Sequence, residues 1–154
     1  MIGDASTAEG HFFETMNAAG VLQIPVAVAV WDDGFGISVP REYQLVKVEI
    51  SEVLRGFEAN DNSRGILIYK AKGWDYPELC KTFEKGIRLC RENHIPVLFH
   101  IDEMTQPLGH STSGSHERYK TKERLQWEQE YDPIRKMREW IISSETASEG
   151  ELEQ

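Results

Sequence analysis

The apolar positions of this chain alternate between two patterns. Residues 25–30, 65–72 and 97–104 hold short continuous apolar runs: Val26 to Val30 after Pro25, then Ile66, Leu67, Ile68 and Tyr69, then Val97, Leu98 and Phe99. Each is bounded by turn residues, as expected of strands buried on both faces. Between them the apolar residues recur every three or four positions. Residues 7–23 place Ala8, Phe12, Met16 and Ala19, with Phe13 and Gly20, on one helical face, with Thr7 as the cap. A second helix follows Gly73-Trp74-Asp75-Tyr76-Pro77, with Leu79, Phe83, Ile87 and Cys90 as its inner face and Asn93 to Pro96 as its end. Residues 34–50 have no sustained period and are expected to be loop. Ser51 opens a short helix with Val53, Leu54 and Phe57, and Asn60 to Ser63 form a turn. A polar loop over 105–121 leads into two closing helices, 122–130 and 132–143, the latter with Pro133 in its first turn. The acidic tail 145–154 is expected to fray. Strand, helix, strand, helix, strand predicts an α/β domain with a parallel sheet.

The net charge of −9 and the pI near 5.0 argue against a nucleic-acid surface and against anionic membranes. No apolar run approaches the ~20 residues of a membrane span, and no signal peptide is recognisable. Cys80 and Cys90 lie ten positions apart on one helix, about 15 Å of rise, too far to bridge. Reduced cysteines fit an intracellular, cytoplasmic protein. Met1 and Ile2 are too few to make a buried strand before Gly3-Asp4, which predicts that an N-terminal portion or a partner completes the sheet.

Candidate chemistry clusters at the predicted strand ends. Asp4 and Asp33 are 29 positions apart (33 − 4), the length of one βαβ unit. That unit brings both carboxylates to the same edge of a parallel sheet, where ligands bind. Two hard oxygen ligands suit Mg²⁺ or Ca²⁺, and Mg²⁺ in turn suits a diphosphate. Two other readings fit the same residues. Each aspartate is also a good turn or cap residue, Asp32-Asp33-Gly34 especially. Acidic sheet edges also build phospho-acceptor sites, for which Lys70 or Lys72 would supply the lysine. His110, in a Gly/Ser/Thr-rich stretch past the third strand, is placed at the same edge and is suited to meeting a phosphate oxygen or moving a proton. His11, His94, His100 and His116 show no ligand spacing and are expected to be surface or packing residues. No P-loop and no Gly-x-Gly-x-x-Gly follows a strand, so nucleotide readings lack support.

Several motifs then occur in order: Gly3-Asp4-Ala5-Ser6-Thr7-Ala8-Glu9-Gly10, Asn17-Ala18-Ala19, Asp32-Asp33-Gly34-Phe35-Gly36-Ile37-Ser38, Gly109-His110-Ser111-Thr112-Ser113, Tyr119 and Asp132-Pro133-Ile134. Together they resemble the alpha part of the thiamine diphosphate-dependent component of 2-oxo acid dehydrogenases, the branched-chain type most of all. The resemblance implies a thiamine diphosphate-binding fold, incomplete at the N-terminus, with helices on both faces of a parallel sheet. It divides the chain into a diphosphate and Mg²⁺ domain at 1–144 and the tail at 145–154. It implies oxidative decarboxylation of a 2-oxo acid with acyl transfer to lipoyl-lysine. Asp4 and Asp33 match the metal ligands, and Phe35 the residue that lends its carbonyl to the metal. Ala5 and Ser6 match residues that approach the diphosphate. His110 matches the cofactor-contacting histidine and is the catalytic candidate. Ser111 matches a serine phosphorylated in some members.

The implied partners are a transketolase-like beta subunit or fused segment, forming a heterotetramer, and a lipoyl acyltransferase. The glutamate that activates the cofactor belongs to the beta part and is not found here. This chain departs from the family pattern at four points. Ala5 replaces the second glycine of the first motif, and Asp32-Asp33 replaces an asparagine pair. Trp31 and the Gln106-Pro107 region stand where arginines are common, so two cationic phosphate partners are absent. Those departures motivate the alternative, a non-catalytic metal-binding module or assembly piece of the same family.

Overall fold

A computed structural model of the chain describes residues 1–110 and 116–153. The elements run β1 (Ile2–Gly3), α1 (Gly10–Leu22), β2 (Ala27–Trp31), β3 (Phe35–Gly36), β4 (Val39–Pro40), α2 (Ile50–Val53), β5 (Leu67–Lys72), α3 (Tyr76–Asn93), β6 (Val97–Asp102), α4 (Lys122–Glu130), α5 (Pro133–Ser143) and α6 (Glu149–Leu152). Four strands form a parallel sheet in the order β1, β2, β6, β5. The order reverses after β2: the chain crosses to the far edge for β5 and returns to insert β6 beside β2. Ligand crevices of α/β sheets open at such reversals.

Alternation along the strands sends side chains to two separate cores. On one face Val30, Leu98 and Ile66 pack with Phe12 and Met16 of α1 and with Ile50 and Leu54. On the other, Ala29, Ala71, Phe99 and Ile101 meet Cys90, with Leu79, Phe83 and Ile87 of α3. The domain is therefore three-layered, as expected. Helix α3 approaches its face closely at Gly86, where a Cβ would lie 2.5 Å from the Phe99 ring. It starts where the Asp75 side chain accepts from the Glu78 amide at 3.0 Å, and ends on His94 in the left-handed conformation. Both cysteines are free, Cys80 exposed and Cys90 buried.

Three local differences from the pattern have physical causes. Residues Asp4–Ala8 form a 3₁₀ turn, so α1 begins only at Gly10. Thr7 is buried and donates to the Asp4 carbonyl at 2.6 Å, which ties it to that turn and not to a helix cap. Within 34–50, β3 and β4 form a minimal hairpin, pinned by side-chain acceptors from Asp32 and Asp33. The tail contains α6, a single turn with a capping box between Ser148 and Glu151. At the other end, β1 pairs Ile2 with Val30 and Gly3 with Trp31, so the short first strand does join the sheet.

Candidate functional site

The β1 register brings Asp4 level with the end of β2, where Asp32 and Asp33 follow. A cleft of about 330 Å³ opens there, lined by Gly3, Asp4, Ala5, Trp31, Asp33 and Phe35 together with the segment after β6, including Gln106 and His110. The crossover thus unites the two aspartates, as the spacing predicts. A larger cleft of about 440 Å³, around Asn17, Phe57 and Arg64, offers no acidic or histidine side chain.

The three aspartates have different surroundings. Asp4 is only 6% exposed, and among the described residues its Oδ2 has no hydrogen-bond partner. Burial, then the charges of Asp32 and Asp33, push its carboxyl up to about 7. Asp33 is also raised, chiefly by burial, although its Oδ1 accepts from the Phe35 amide at 3.1 Å. Asp32 is 2% exposed and fully engaged. Its Oδ1 accepts from the Gly34 amide at 2.8 Å. Its Oδ2 accepts from Arg41 Nη1 at 2.6 Å and lies 2.8 Å from His100 Nε2. Burial alone would raise Asp32, but the His100 hydrogen bond and the Arg41 guanidinium hold it below the ordinary carboxylate value. The ring of His100 is buried, and its Nδ1 lies 2.9 Å from Ser51 Oγ.

A second group of side chains braces the cleft from α4. Arg124 Nη2 donates to the carbonyl of Asp33 at 2.8 Å and to that of Met104 at 3.1 Å, joining the segments that leave β2 and β6. Its Nε donates to Glu128, which is itself buried against Lys120 at 2.7 Å. Lys120 Nζ stands 5.5 Å from the centre of the Phe35 ring. These cations face carbonyls, Glu128 and an aromatic face.

The remaining candidates fall as follows. Ala5 lines the cleft, whereas Ser6 sits exposed in the 3₁₀ turn. His110 is exposed at the cleft's rim. Trp31 and Gln106 line the cleft as the uncharged residues they are, and no Lys or Arg is among its lining residues. Ser111 lies outside the described residues. Lys70 pairs with Glu49 and Asp102, and Lys72 with Glu103, so both candidate phospho-acceptor lysines are engaged away from Asp33.

A profile of the family described as "Dehydrogenase E1 component" matches residues 1–154. The chain belongs to the dehydrogenase E1 component family. As an E1 chain, it is similar to the "Pyruvate dehydrogenase E1 component subunit alpha" of Rickettsia bellii, with 26% identity over 99% of this chain and 44% of that protein. It is 26% identical to the protein of the same name from Porphyra purpurea, over 97% of this chain and 41% of the other. It is 28% identical to "2-oxoisovalerate dehydrogenase subunit alpha 1, mitochondrial" of Arabidopsis thaliana, over 91% of this chain and 28% of that protein. The chain spans less than half the length of these relatives. Family membership removes the phospho-acceptor reading.

The side chains that brace the cleft of this E1 chain carry little signal in the sequence. Arg41, Ser51 and His100 come from three separate segments and meet only in the fold. His100 sits in an apolar run, where nothing local separates a packed histidine from a working one. Arg124 and Glu128 do carry a signal, the i,i+4 spacing of a helical ion pair, but their burial does not show in it.

Proposed function

We propose that this E1 chain holds Mg²⁺ and the diphosphate of thiamine diphosphate in a 2-oxo acid dehydrogenase. Asp4 carries this reading: a buried carboxylate oxygen with no partner among the described residues, beside a second aspartate, at the cleft. A carboxylate in that position is unfavourable alone and favourable beside a divalent cation. Asp4 and Asp33, with the Phe35 carbonyl that the family resemblance implies, would supply three hard oxygens. Mg²⁺ takes six and keeps water or phosphate oxygens for the rest. Among the described residues no group of three or more acidic, His or Cys side chains is placed to hold a metal ion by itself.

Thiamine diphosphate, when bound, supplies the chemistry that decarboxylates a 2-oxo acid. This chain's residues do the holding. Asp4 and Asp33 bind the cation, which offsets the charge of the phosphates. Ala5 and Ser6 approach the diphosphate, and His110 at the rim donates to it or moves a proton. The holding domain covers 1–144, with 145–154 as an acidic tail. The acyl group passes to lipoyl-lysine of an acyltransferase partner. A beta subunit or fused segment completes the site, in a cytoplasmic heterotetramer. The relatives' names cover both pyruvate and 2-oxoisovalerate, and we favour a branched-chain 2-oxo acid.

The second reading is a metal-binding module without turnover. It is favoured by Trp31 and Gln106, which line the cleft where arginines would grip phosphate. Decarboxylation of 2-oxo acids with a lipoyl acceptor, measured with a beta partner present, separates the two. The proposal expects turnover that Asp4→Ala abolishes. Metal binding without turnover supports the module, and full turnover by the 154-residue chain alone contradicts the proposal.

A further inference from the structure

His100 lies within β6, between two other strands of the sheet, and is fully buried. On its face of the sheet the neighbours two positions back and across the β2 ladder are Leu98 and Val30. An imidazole in such a place is unfavourable unless both ring nitrogens are paired. Both are, with Nε2 2.8 Å from Asp32 Oδ2 and Nδ1 2.9 Å from Ser51 Oγ. The Asp32 carboxylate only accepts, so Nε2 carries a proton and donates to it. In the neutral ring Nδ1 then accepts from the Ser51 hydroxyl.

Asp32 is saturated by these contacts. Its Oδ2 meets His100 and, at 2.6 Å, Arg41, while its Oδ1 accepts from the Gly34 amide at 2.8 Å. Gly34 sits at φ +85°, and its carbonyl accepts from the Arg41 amide at 3.1 Å. The turn carrying Asp33 and Phe35 is therefore gripped on both sides of the Asp32 carboxylate. The grip originates in Ser51 of α2, which packs on the sheet face shared with α1.

We propose that Ser51, His100, Asp32 and Arg41 form the positioning device of the metal turn, with Asp32 spent on holding the turn and Asp33 left to face the cation. His100 is its keystone, because among the described residues it alone joins Ser51 of α2 to the Asp32 carboxylate. The effect on a cation rests on the Mg²⁺ reading above, whereas the restraint on the turn does not.

The test uses the 154-residue chain with His100→Gln, His100→Asn and His100→Leu. Glutamine keeps a donor near the Nε2 position, asparagine keeps a group near Nδ1 only, and leucine keeps neither. Amide hydrogen exchange is followed by NMR without metal, and binding of Mn²⁺ alone by electron paramagnetic resonance. We expect the Asn and Leu variants to speed exchange at Gly34 and Phe35 by about tenfold or more, the loss of a charge-assisted hydrogen bond. The Gln variant, which keeps the bond to Asp32 and loses that to Ser51, falls between wild type and the other two, and amides of β5 are unchanged in all three. Mn²⁺ affinity falls in the same order. Unchanged exchange at Gly34 and Phe35 overturns the proposal, as does faster exchange throughout the sheet, which would make His100 an ordinary core residue. If the turn loosens as expected but the wild type binds no Mn²⁺, the positioning device stands and the Mg²⁺ reading falls.

Discussion

Asp4 carries the greatest electrostatic strain in the cleft. Its carboxyl ionises near 7 in the folded chain and near the ordinary 3.8 when unfolded. Below about pH 4 it is protonated in both states and has no effect on stability. Between those values the unfolded chain releases a proton that the folded chain keeps. The metal-free protein should thus lose stability as pH rises through that window, by an amount of order 2–4 kcal/mol, and level off above it. Asp33, also raised by burial, acts in the same direction. Asp32 acts oppositely: its depressed value contributes stability above the ordinary carboxylate range that is lost on acidification. Chemical denaturation of the metal-free chain at pH 5 and pH 8 checks the sign. Asp4→Asn should flatten the curve, stabilise the apo chain at pH 8 and remove metal binding. A wild type more stable at pH 8 than at pH 5 without metal contradicts this assignment. Asp4 and Asp33 were legible because a βαβ unit has a characteristic length and returns strand ends to one edge. The different work of the adjacent Asp32 was not legible, because its partners lie 9 and 68 positions away in sequence.

Among the elements, α4 and α3 support the sheet in different ways. Helix α4 reaches the cleft through Arg124, whose guanidinium spans two carbonyls and is oriented by the buried Glu128. Removing Lys120 leaves the buried Glu128 with Arg124 as its remaining partner, whose side chain is 28% exposed. Lys120→Met should therefore destabilise the chain by about 3 kcal/mol and weaken metal binding as well. An equilibrium denaturation series with a Mn²⁺ titration measures both effects. Helix α3, remote from the cleft, should separate them. Gly86→Ala sets a methyl against Phe99 and Tyr69 and should destabilise by about 1–3 kcal/mol, with metal affinity unchanged. Unchanged stability of Gly86→Ala would mean that α3 sits further from the sheet. The three long strands and the main helices were plain in the sequence, since burial on two faces leaves continuous apolar runs. The β3 and β4 hairpin was not, because two-residue strands carry no period and this pair is fixed by aspartate side chains.

At the scale of the whole molecule, the family match covers the full chain while the curated relatives are more than twice as long. The cleft lies at the sheet edge where strand order reverses, open and lined on this side without a cation. On the proposed reading another surface would contribute the rest of the site, and diphosphate affinity would depend on the bound cation. This chain would, on that reading, bring the carboxylates of the metal anchor, while no arginine is among the lining residues of the cleft. The most direct test is calorimetric titration of thiamine diphosphate into the chain with a beta partner, with and without Mg²⁺. Mg²⁺-dependent binding that Asp4→Ala and Asp33→Ala each abolish is the expected result. Binding of equal strength without Mg²⁺, or binding that survives Asp4→Ala, would contradict it.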